Sequence, residues 1–433
     1  MDLITKAPRG TQDILPMDIY KWKFLEQLMM DEAEKYGYKE IRTPVFEHTE
    51  LFKRSVGAST DVVQKEMYTF KDKSDRSITL RPEGTAGVVR AMIQNSLYNG
   101  VLPIKLSYLT SCYRYEKPQA GRFREFHQFG LESFGSSYPI ADAELISIVY
   151  SIFKRLNLNN ISLEINSIGC PTCRKKYYEE LRYYLDKNKS KLCSTCVQRL
   201  EKNPMRILDC KNKDCKDTVK NAPTVLEYLC KDCAEHFEEV KRNLTQLKIK
   251  YKVNPKIVRG LDYYTKTVFE FVSEEFGAQA VICGGGRYDG LVEQISGKNM
   301  PALGFGMGIE RLISLLDSQG IELPKQPNSD VYVASIGDKA KIKALELTNI
   351  LRDSGFKVEC DVMGRTIKSQ MKYADKINVK YSIAIGEDEM NTGIAYLKNM
   401  DNGNKRQVNI LDNFVASFFN AHLDLEAEEQ KLK

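Results

Sequence analysis

Apolar residues recur at helical spacing between Asp18 and Tyr36, at Ile19, Trp22, Leu25, Leu28, Met29, Ala33 and Tyr36, which predicts a helix that stops at Gly37. The pattern then changes. YKEIRTPVF reads as a strand ended by Pro44, and residues 67–70 and 78–81 as a hairpin around the polar turn KDKSDR. A helix is expected after Gly84, and strands over 107–116 and 123–130 flank the loop KPQAGR. Residues 170–244 differ in composition, rich in cysteine, and read as an insertion. Core-like strands resume at VFEFV and AVICGG, and a helix carries IERLISLLDSQG. LPKQPNS is a linker by composition. Beyond it VYVASI, KVECDV and YSIAIG alternate with amphipathic stretches, which suggests a small α/β domain with a partly parallel sheet. The last residues, LEAEEQKLK, are expected as a frayed helix or tail.

Composition narrows this picture. A chain of 433 residues suggests two to four domains, and 42% hydrophobic with 28% charged residues is an ordinary globular balance. No run approaches the ~20 apolar residues of a membrane span. The N-terminal MDLITKAPRGTQDILP has no apolar signal core, so a cytoplasmic protein is expected. The net charge of +6 fits a polyanionic partner and, equally, a slightly basic enzyme.

The candidate chemistry lies on the strands. A period of two puts Thr110, Cys112, Arg114 and Glu116 on one face, and Arg124, Phe126, Gln128 and Glu132 on one face of the next strand. Arg122 sits in the turn between them. This mixture of guanidinium, carboxylate, amide and aromatic suits a ligand with phosphate, ammonium and a flat base; a solvent-facing sheet surface is the plainer alternative. The segments CGGGRYDG and GFGMGIER match neither the dinucleotide fingerprint nor a P-loop. They read either as close packing or as places where a ligand approaches the backbone, and Arg311, just inside a helix, suits a phosphate. Eight of the 11 cysteines (Cys170, Cys173, Cys193, Cys196, Cys210, Cys215, Cys230, Cys233) form three CxxC pairs and one Cx4C in the insertion. In a reducing cytosol that spacing fits tetrahedral zinc or reduced buried thiols. The histidines, His48, His127, His236 and His422, form no HExxH, and His127, opposite Gln128, reads as packing.

Taken in order, these pieces carry a resemblance. GYKEIRTPV resembles motif 1 of class II aminoacyl-tRNA synthetases, CYRYE with FREFHQFGLE resembles motif 2, and ALGFGMGIERL resembles motif 3. RPEGT, RGLDYYT and GGGRYDGL are similar to segments of the histidyl enzymes, and GRTIKSQMKYADK with IAIGEDEM to their anticodon-binding domain. The likeness covers essentially the whole chain. It implies an α/β multidomain fold with an α+β catalytic core: the class II antiparallel sheet with flanking helices, an inserted mainly helical domain, and a C-terminal α/β anticodon-binding domain. The division implied is 1–169 and 245–322 for the core, 170–244 for the insertion, 323–329 for the linker and 330–433 for the anticodon-binding domain. The activity implied is that of a histidine–tRNA ligase. It activates L-histidine with ATP, using magnesium (Mg2+), to histidyl-adenylate and pyrophosphate, then transfers histidine to the 3′ end of tRNA(His). A cytoplasmic homodimer is implied as well.

The resemblance also implies roles. Arg114 would bind the α-phosphate of ATP, Glu116 would contact the adenine end, Phe126 would stack on the base, and Arg122 and Arg311 would hold the outer phosphates. Glu83, Thr85 and Gln128 would take the histidine ammonium. Glu132 and Tyr264 would meet the imidazole nitrogens, with Tyr263 beside them. Arg259 would complete the site at the α-phosphate, and it and Arg114 would also face the bound histidine. Glu125 stands where many relatives carry glutamine, on the face away from Phe126. An inactive paralogue, the regulatory subunit of the histidine-biosynthesis phosphoribosyltransferase, shares the catalytic fold. It is expected to lack the ATP arginines and the C-terminal domain, and both are present here. A zinc-containing RNA-binding protein without catalysis would leave RGLDYYT and RPEGT unexplained.

Overall fold

The computed structural model describes residues 3–58, 60–119, 121–210, 212–273, 275, 280–325 and 329–432. Two compact units divide the chain, Met1–Pro324 and Lys325–Lys433. The expected linker spans their junction, and its residues 326–328 lie outside the described ones.

An eight-stranded sheet organises the first unit, in the order Lys39–Glu40, Ile104–Tyr113, Glu125–Phe134, Ala302–Gly308, Ala280–Arg287, Thr265–Ser273, Ile161–Ser167 and Lys252–Val253. It is antiparallel except for the outermost pair at each edge. Alternation along its strands assigns its two faces. On Ala302–Gly308, Leu303, Phe305 and Met307 join the core under the sheet, while Gly304, Gly306 and Gly308 turn to the other side. The core face is covered by the helices Ile19–Lys35, Pro139–Arg155 and Ile309–Ser318. The first buries Trp22, Leu25, Leu28, Met29 and Ala33, the expected stripe, and Gly37 follows with φ +81°. Helices Pro171–Lys187, Ser194–Lys202, Lys213–Val219 and Lys231–Gln246 fall between strands Ile161–Ser167 and Lys252–Val253. The last of them packs Phe237, Val240 and Leu244 into the core of the sheet.

Two expectations need correction. YKEIRTPVF is not one strand. Lys39–Glu40 joins the large sheet, and Phe46–His48 joins a separate three-stranded sheet with Ser77–Leu80 and Thr69–Lys71. Pro44 brings no N–H to a ladder and restricts Thr43, so the pairing breaks there. Arg81 takes up the carbonyls of Thr43 and Pro44 at 2.8 and 3.2 Å. The hairpin strands run Ile104–Tyr113 and Glu125–Phe134, so Arg114 and Glu116 lie just past the strand end. Arg114 N still donates to Arg124 O at 2.8 Å, which keeps the face expected for it. In the second unit the expected partly parallel sheet is present: strands Val358–Cys360, Val331–Ser335 and Tyr381–Ile385 are parallel, and Ile394–Asn399 and Lys405–Asn409 extend the sheet antiparallel. Of the two alternatives for LEAEEQKLK, the structure shows the helix. Residues 425–432 continue the helix Phe414–Leu432, which buries Phe418, Ala421 and Leu425, and Glu429 accepts from Asn399 at 2.5 Å and pairs with Lys380 at 3.2 Å; Lys433 lies outside the described residues.

One buried cation ties the first unit together. Arg287 ends its strand completely buried, and its Nε and Nη2 donate to the Asp142 carboxylate, Nη2 at 2.5 Å. Nη1 donates to Ser136 O at 2.7 Å and Asp289 at 3.2 Å. His236 Nε2 lies 3.4 Å from the same Asp142. Strand Ala280–Arg287, helix Pro139–Arg155 and helix Lys231–Gln246 therefore meet on one carboxylate. Burial pushes that carboxyl up, but Arg287 and His236 more than offset it and hold its pKa at about 2. Breaking such a buried pair costs about 3–5 kcal/mol. Asp142→Asn is accordingly expected to lower the unfolding free energy in urea by about 3 kcal/mol. Its folded pKa lies below the unfolded value of about 3.9, so the contribution is full at neutral pH and fades as pH falls from about 4 towards 2. An unchanged urea midpoint at pH 7 would contradict this role.

Candidate active site

The face of the sheet opposite the helices carries an open cleft of about 880 Å³ including its mouth, the size of a small-molecule site. Its floor is made of glycines because side chains from a neighbouring strand and from the loop before Thr265 lie flat across them. A Cβ on Gly304 would stand 1.8 Å from Glu132 Oε2, one on Gly306 1.9 Å from Gln128 Nε2, and one on Gly284 2.3 Å from Arg259 Nη1. The runs GGG and GFGMG thus leave room for polar groups of the floor, the close-packing alternative rather than a nucleotide fingerprint.

One end of the cleft is cationic. Arg122 Nη1 holds Glu116 Oε2 at 3.1 Å, and Arg114 Nη1 lies 3.9 Å from the other Glu116 oxygen. Arg311 Nε donates to Gly121 O at 3.4 Å and Nη1 to Val281 O. Burial, and then the charges of Arg122 and Arg114, depress the Arg311 pKa to about 10. The guanidinium stays charged at neutral pH, but it is crowded by like charge, and an oxyanion placed among the three would relieve it. The Phe126 ring lies 5.2 Å from the Arg114 guanidinium and offers a flat apolar face.

The other end is built of carboxylate, amide and phenol. Arg114 joins the two ends, since its Nε donates to Pro82 O at 2.8 Å, next to Glu83. Glu83 is buried and accepts the Thr85 and Ala86 N–H groups at 2.8 Å each, capping the helix Thr85–Gln94; burial raises its pKa. Gln128 Oε1 accepts Gly84 N–H at 3.0 Å. The rings of Tyr263 and Tyr264 are 4.6 Å apart, and burial raises both phenols, so both are neutral donors near pH 7. Arg259 pairs with Glu270 and lies 5.5 Å from the Tyr264 ring, its Nε buried without a hydrogen-bond partner among the described residues.

Of the side chains expected in this site, Glu83, Thr85, Arg114, Glu116, Arg122, Phe126, Gln128, Arg259, Tyr263, Tyr264 and Arg311 line the cleft. Glu132 sits behind the lining, completely buried. It accepts Thr85 Oγ1 at 2.7 Å, Tyr108 OH at 3.0 Å and the Tyr288 hydroxyl. Burial pushes its pKa up to about 8, against the pull of these donors. Sequence reasoning missed Glu310, which lines the cleft beside Arg311 and accepts the His127 N–H at 2.9 Å, and Glu270 and Tyr288 beneath it. The period of two in GFGMG was the available signal for a two-faced strand. His127 packs edge-on against Trp22, 4.8 Å between centroids, as its position suggested.

The insertion cysteines fall into two sets, Cys170, Cys173, Cys230 and Cys233, and Cys193, Cys196, Cys210 and Cys215. Within each, all sulfurs lie within 4.8 Å of one another. The Sγ atoms of Cys170 and Cys173 are 3.5 Å apart and those of Cys193 and Cys210 3.9 Å. A disulfide needs about 2.05 Å. Four thiolates about 2.3 Å from a tetrahedral zinc stand about 3.8 Å apart, so both sets fit one such ion.

Three comparisons bear on this geometry. A family model for histidyl-tRNA synthetase matches residues 10–312, and one for an anticodon binding domain matches 330–417. The chain is 55% identical over 408 residues to the histidine–tRNA ligase of Acetivibrio thermocellus, covering 94% of this chain and 98% of that one. It is 56% identical over 405 residues to the histidine–tRNA ligase of Clostridium novyi, covering 94% and 96%. The crystal structure of apo S. aureus histidyl-tRNA synthetase is similar with a TM-score of 0.80 and 40% identity, over 94% of this chain and 97% of that one.

The glycine floor makes a prediction of its own. Gly306→Ala drives a methyl into Gln128 and is expected to destabilise the protein by about 1–3 kcal/mol in urea unfolding. Gly290→Ala, where a Cβ meets nothing within 4 Å, is the control and should change stability little. Equal effects of the two would show that the floor does not need its glycines.

Proposed function

This chain belongs to the histidyl-tRNA synthetase family, and we propose that its cleft divides the family's reaction between its two ends. Its activity is that of a histidine–tRNA ligase: histidine and ATP give histidyl-adenylate and pyrophosphate, and histidine then passes to the 3′ end of tRNA. The observation that carries the division is the polarity of the cleft, three guanidiniums at one end and buried carboxylate, amide and phenols at the other, with Arg114 spanning both.

Triphosphate belongs at the cationic end. Arg122 and Arg311 take the outer phosphates, Phe126 stacks on the base, and Glu116 lies towards the adenine. Histidine belongs at the other end. Glu83, Thr85 and Gln128 take its ammonium, and Tyr264, with Tyr263 beside it, meets the imidazole. Glu132 is one side chain removed, so it reaches the imidazole only where Thr85 or Tyr288 turns aside, and otherwise it sets the polarity of that end through them. In activation the histidine carboxylate attacks the α-phosphorus while the bond to pyrophosphate breaks. Arg114 and Arg259 hold the non-bridging oxygens, where charge changes most. Fixed guanidiniums stabilise that change without depending on pH, and positioning removes much of the remaining barrier. Glu310, a hard oxygen donor beside Arg311, would hold magnesium, which neutralises phosphate charge when bound.

The rest of the chain serves the tRNA. The unit Lys325–Lys433 reads the anticodon, and the insertion, with lysines and arginines for phosphate contacts, lies on the acceptor arm and carries zinc in its cysteine sets. The protein works in the cytoplasm; no helix among the described residues is long and apolar enough to cross a membrane. It is a homodimer. Phe46 and Phe70 are about half exposed, on one face of the three-stranded sheet beside Ser77–Leu80, and a second copy covers them.

Histidine-dependent ATP–pyrophosphate exchange tests the activity directly, and its absence in folded protein with magnesium would sink it. For Arg259 the pairing with Glu270 supports a second, purely structural role. A catalytic role predicts that Arg259→Ala slows single-turnover adenylate formation by ~10²–10³ at saturating histidine and ATP, with Arg259→Lys recovering only part. An unchanged rate in folded Arg259→Ala protein would leave only the structural role.

A further inference from the structure

The insertion touches the segment 259–264 through three side chains, none of which faces the cleft. Arg174, beside Cys173, donates to Tyr264 O at 3.0 Å. Between Cys196 and Cys210, Asn203 Nδ2 donates to Asp262 Oδ1 at 3.0 Å. Arg206 spans two carbonyls, Arg259 O at 3.4 Å through Nη1 and Gly260 O at 2.5 Å through Nη2. Arg206 does not line the cleft. What it fixes is the backbone from which the Arg259 side chain leaves.

The two cysteine sets are nested in sequence but separate in space. Cys170 and Cys173 open the helix Pro171–Lys187, and Cys230 and Cys233 open Lys231–Gln246, so this set clips together the two ends of the insertion. The other set is internal to it. Cys193 and Cys196 open the helix Ser194–Lys202, and Cys215 lies in the first turn of Lys213–Val219. In both sets a backbone N–H donates to a sulfur, Cys230 N to Cys173 at 3.1 Å and Cys193 N to Cys215 at 3.1 Å, as around a thiolate. Helix N-termini favour thiolates too. A multi-iron cluster would hold its four sulfurs further apart than a single ion does.

We propose, resting on the zinc reading above, that the insertion holds two separate tetrathiolate zinc centres, and that the internal one, of Cys193, Cys196, Cys210 and Cys215, positions Arg206 against the backbone of Arg259 and Gly260. Residues 197–209 are the loop this ion closes: the helix Ser194–Lys202 runs into it, and beyond 202 it holds only the short turn Pro204–Ile207. Closing the loop through metal removes the freedom that would let Arg206 drift from the two carbonyls. Arg206 is a positioning residue, coupled to the metal on one side and to Arg259 on the other.

Metal analysis of full-length protein purified without chelator, paired with exchange kinetics, tests this. The expected result is two zinc ions per chain, falling to one in Cys196→Ser and in Cys173→Ser. Arg206→Ala should keep both ions yet lower kcat for exchange roughly tenfold, the size of one lost charge-assisted hydrogen bond, with KM for histidine and ATP little changed. Cys196→Ser should show the same loss, and Arg206→Lys, which cannot span two carbonyls, only partial recovery. No bound metal with eight free insertion thiols, or iron in place of zinc, overturns the zinc reading and the proposal with it. Two zinc ions with wild-type kcat in Arg206→Ala leaves the zinc centres standing and overturns the positioning role.

Discussion

Three guanidiniums crowded into a partly buried cleft are the constraint on which this molecule turns. Arg114, Arg122 and Arg311 repel one another, and the depressed pKa of Arg311 records both that repulsion and its burial. Left to itself a chain would splay these side chains into water. Here each is tethered: Arg114 to Pro82 O and Arg311 to Gly121 O and Val281 O, groups distant in sequence, and Arg122 to Glu116 within the same hairpin loop. The tethers hold only while the strands keep their register. The sheet is therefore the device that keeps like charges together until an anion arrives, a case of stability yielded to function at a site.

The same logic explains the rest of the first unit. The strand Ala302–Gly308 puts Leu303, Phe305 and Met307 into the core and only glycines under the cleft, so Gln128 and Glu132 lie across it. Arg287 and Asp142 pin that sheet to two helices from below. The insertion grips the loop that carries Arg259, Tyr263 and Tyr264. Rigid support of a reacting geometry is what positioning catalysis requires.

Much of this was legible in the sequence because the side chains of the cleft sit in short runs whose order survives into three dimensions. The period of two found the cleft face for Arg114, Phe126 and Gln128, because the ladder bond from Arg114 N to Arg124 O prolongs the alternation past the strand end, but it misplaced Arg124, which lies over Tyr115 and does not line the cleft. What stayed hidden depends on partners far along the chain. Glu132 looked like a ligand for imidazole, yet Thr85, Tyr108 and Tyr288 occupy it from three other segments. The spacing of the cysteines named four pairs but not which pairs meet, and the nesting of one set inside the other is a property of the packed helices. Nothing local fixed the charged C-terminal residues, because their tethers, Asn399 on a strand and Lys380 just before one, lie some way back.

If the crowded cations are what holds the triphosphate, neutralising one of them must abolish the response to ATP more than it alters the fold. The measurement is the rise in urea unfolding free energy that saturating ATP gives the protein, about 2.7 kcal/mol at a hundredfold excess over Kd. Wild-type protein should show that rise, and Arg311→Met, which fills the same space without charge, should show almost none. An equal rise in folded Arg311→Met protein would contradict the central role of the guanidinium cluster.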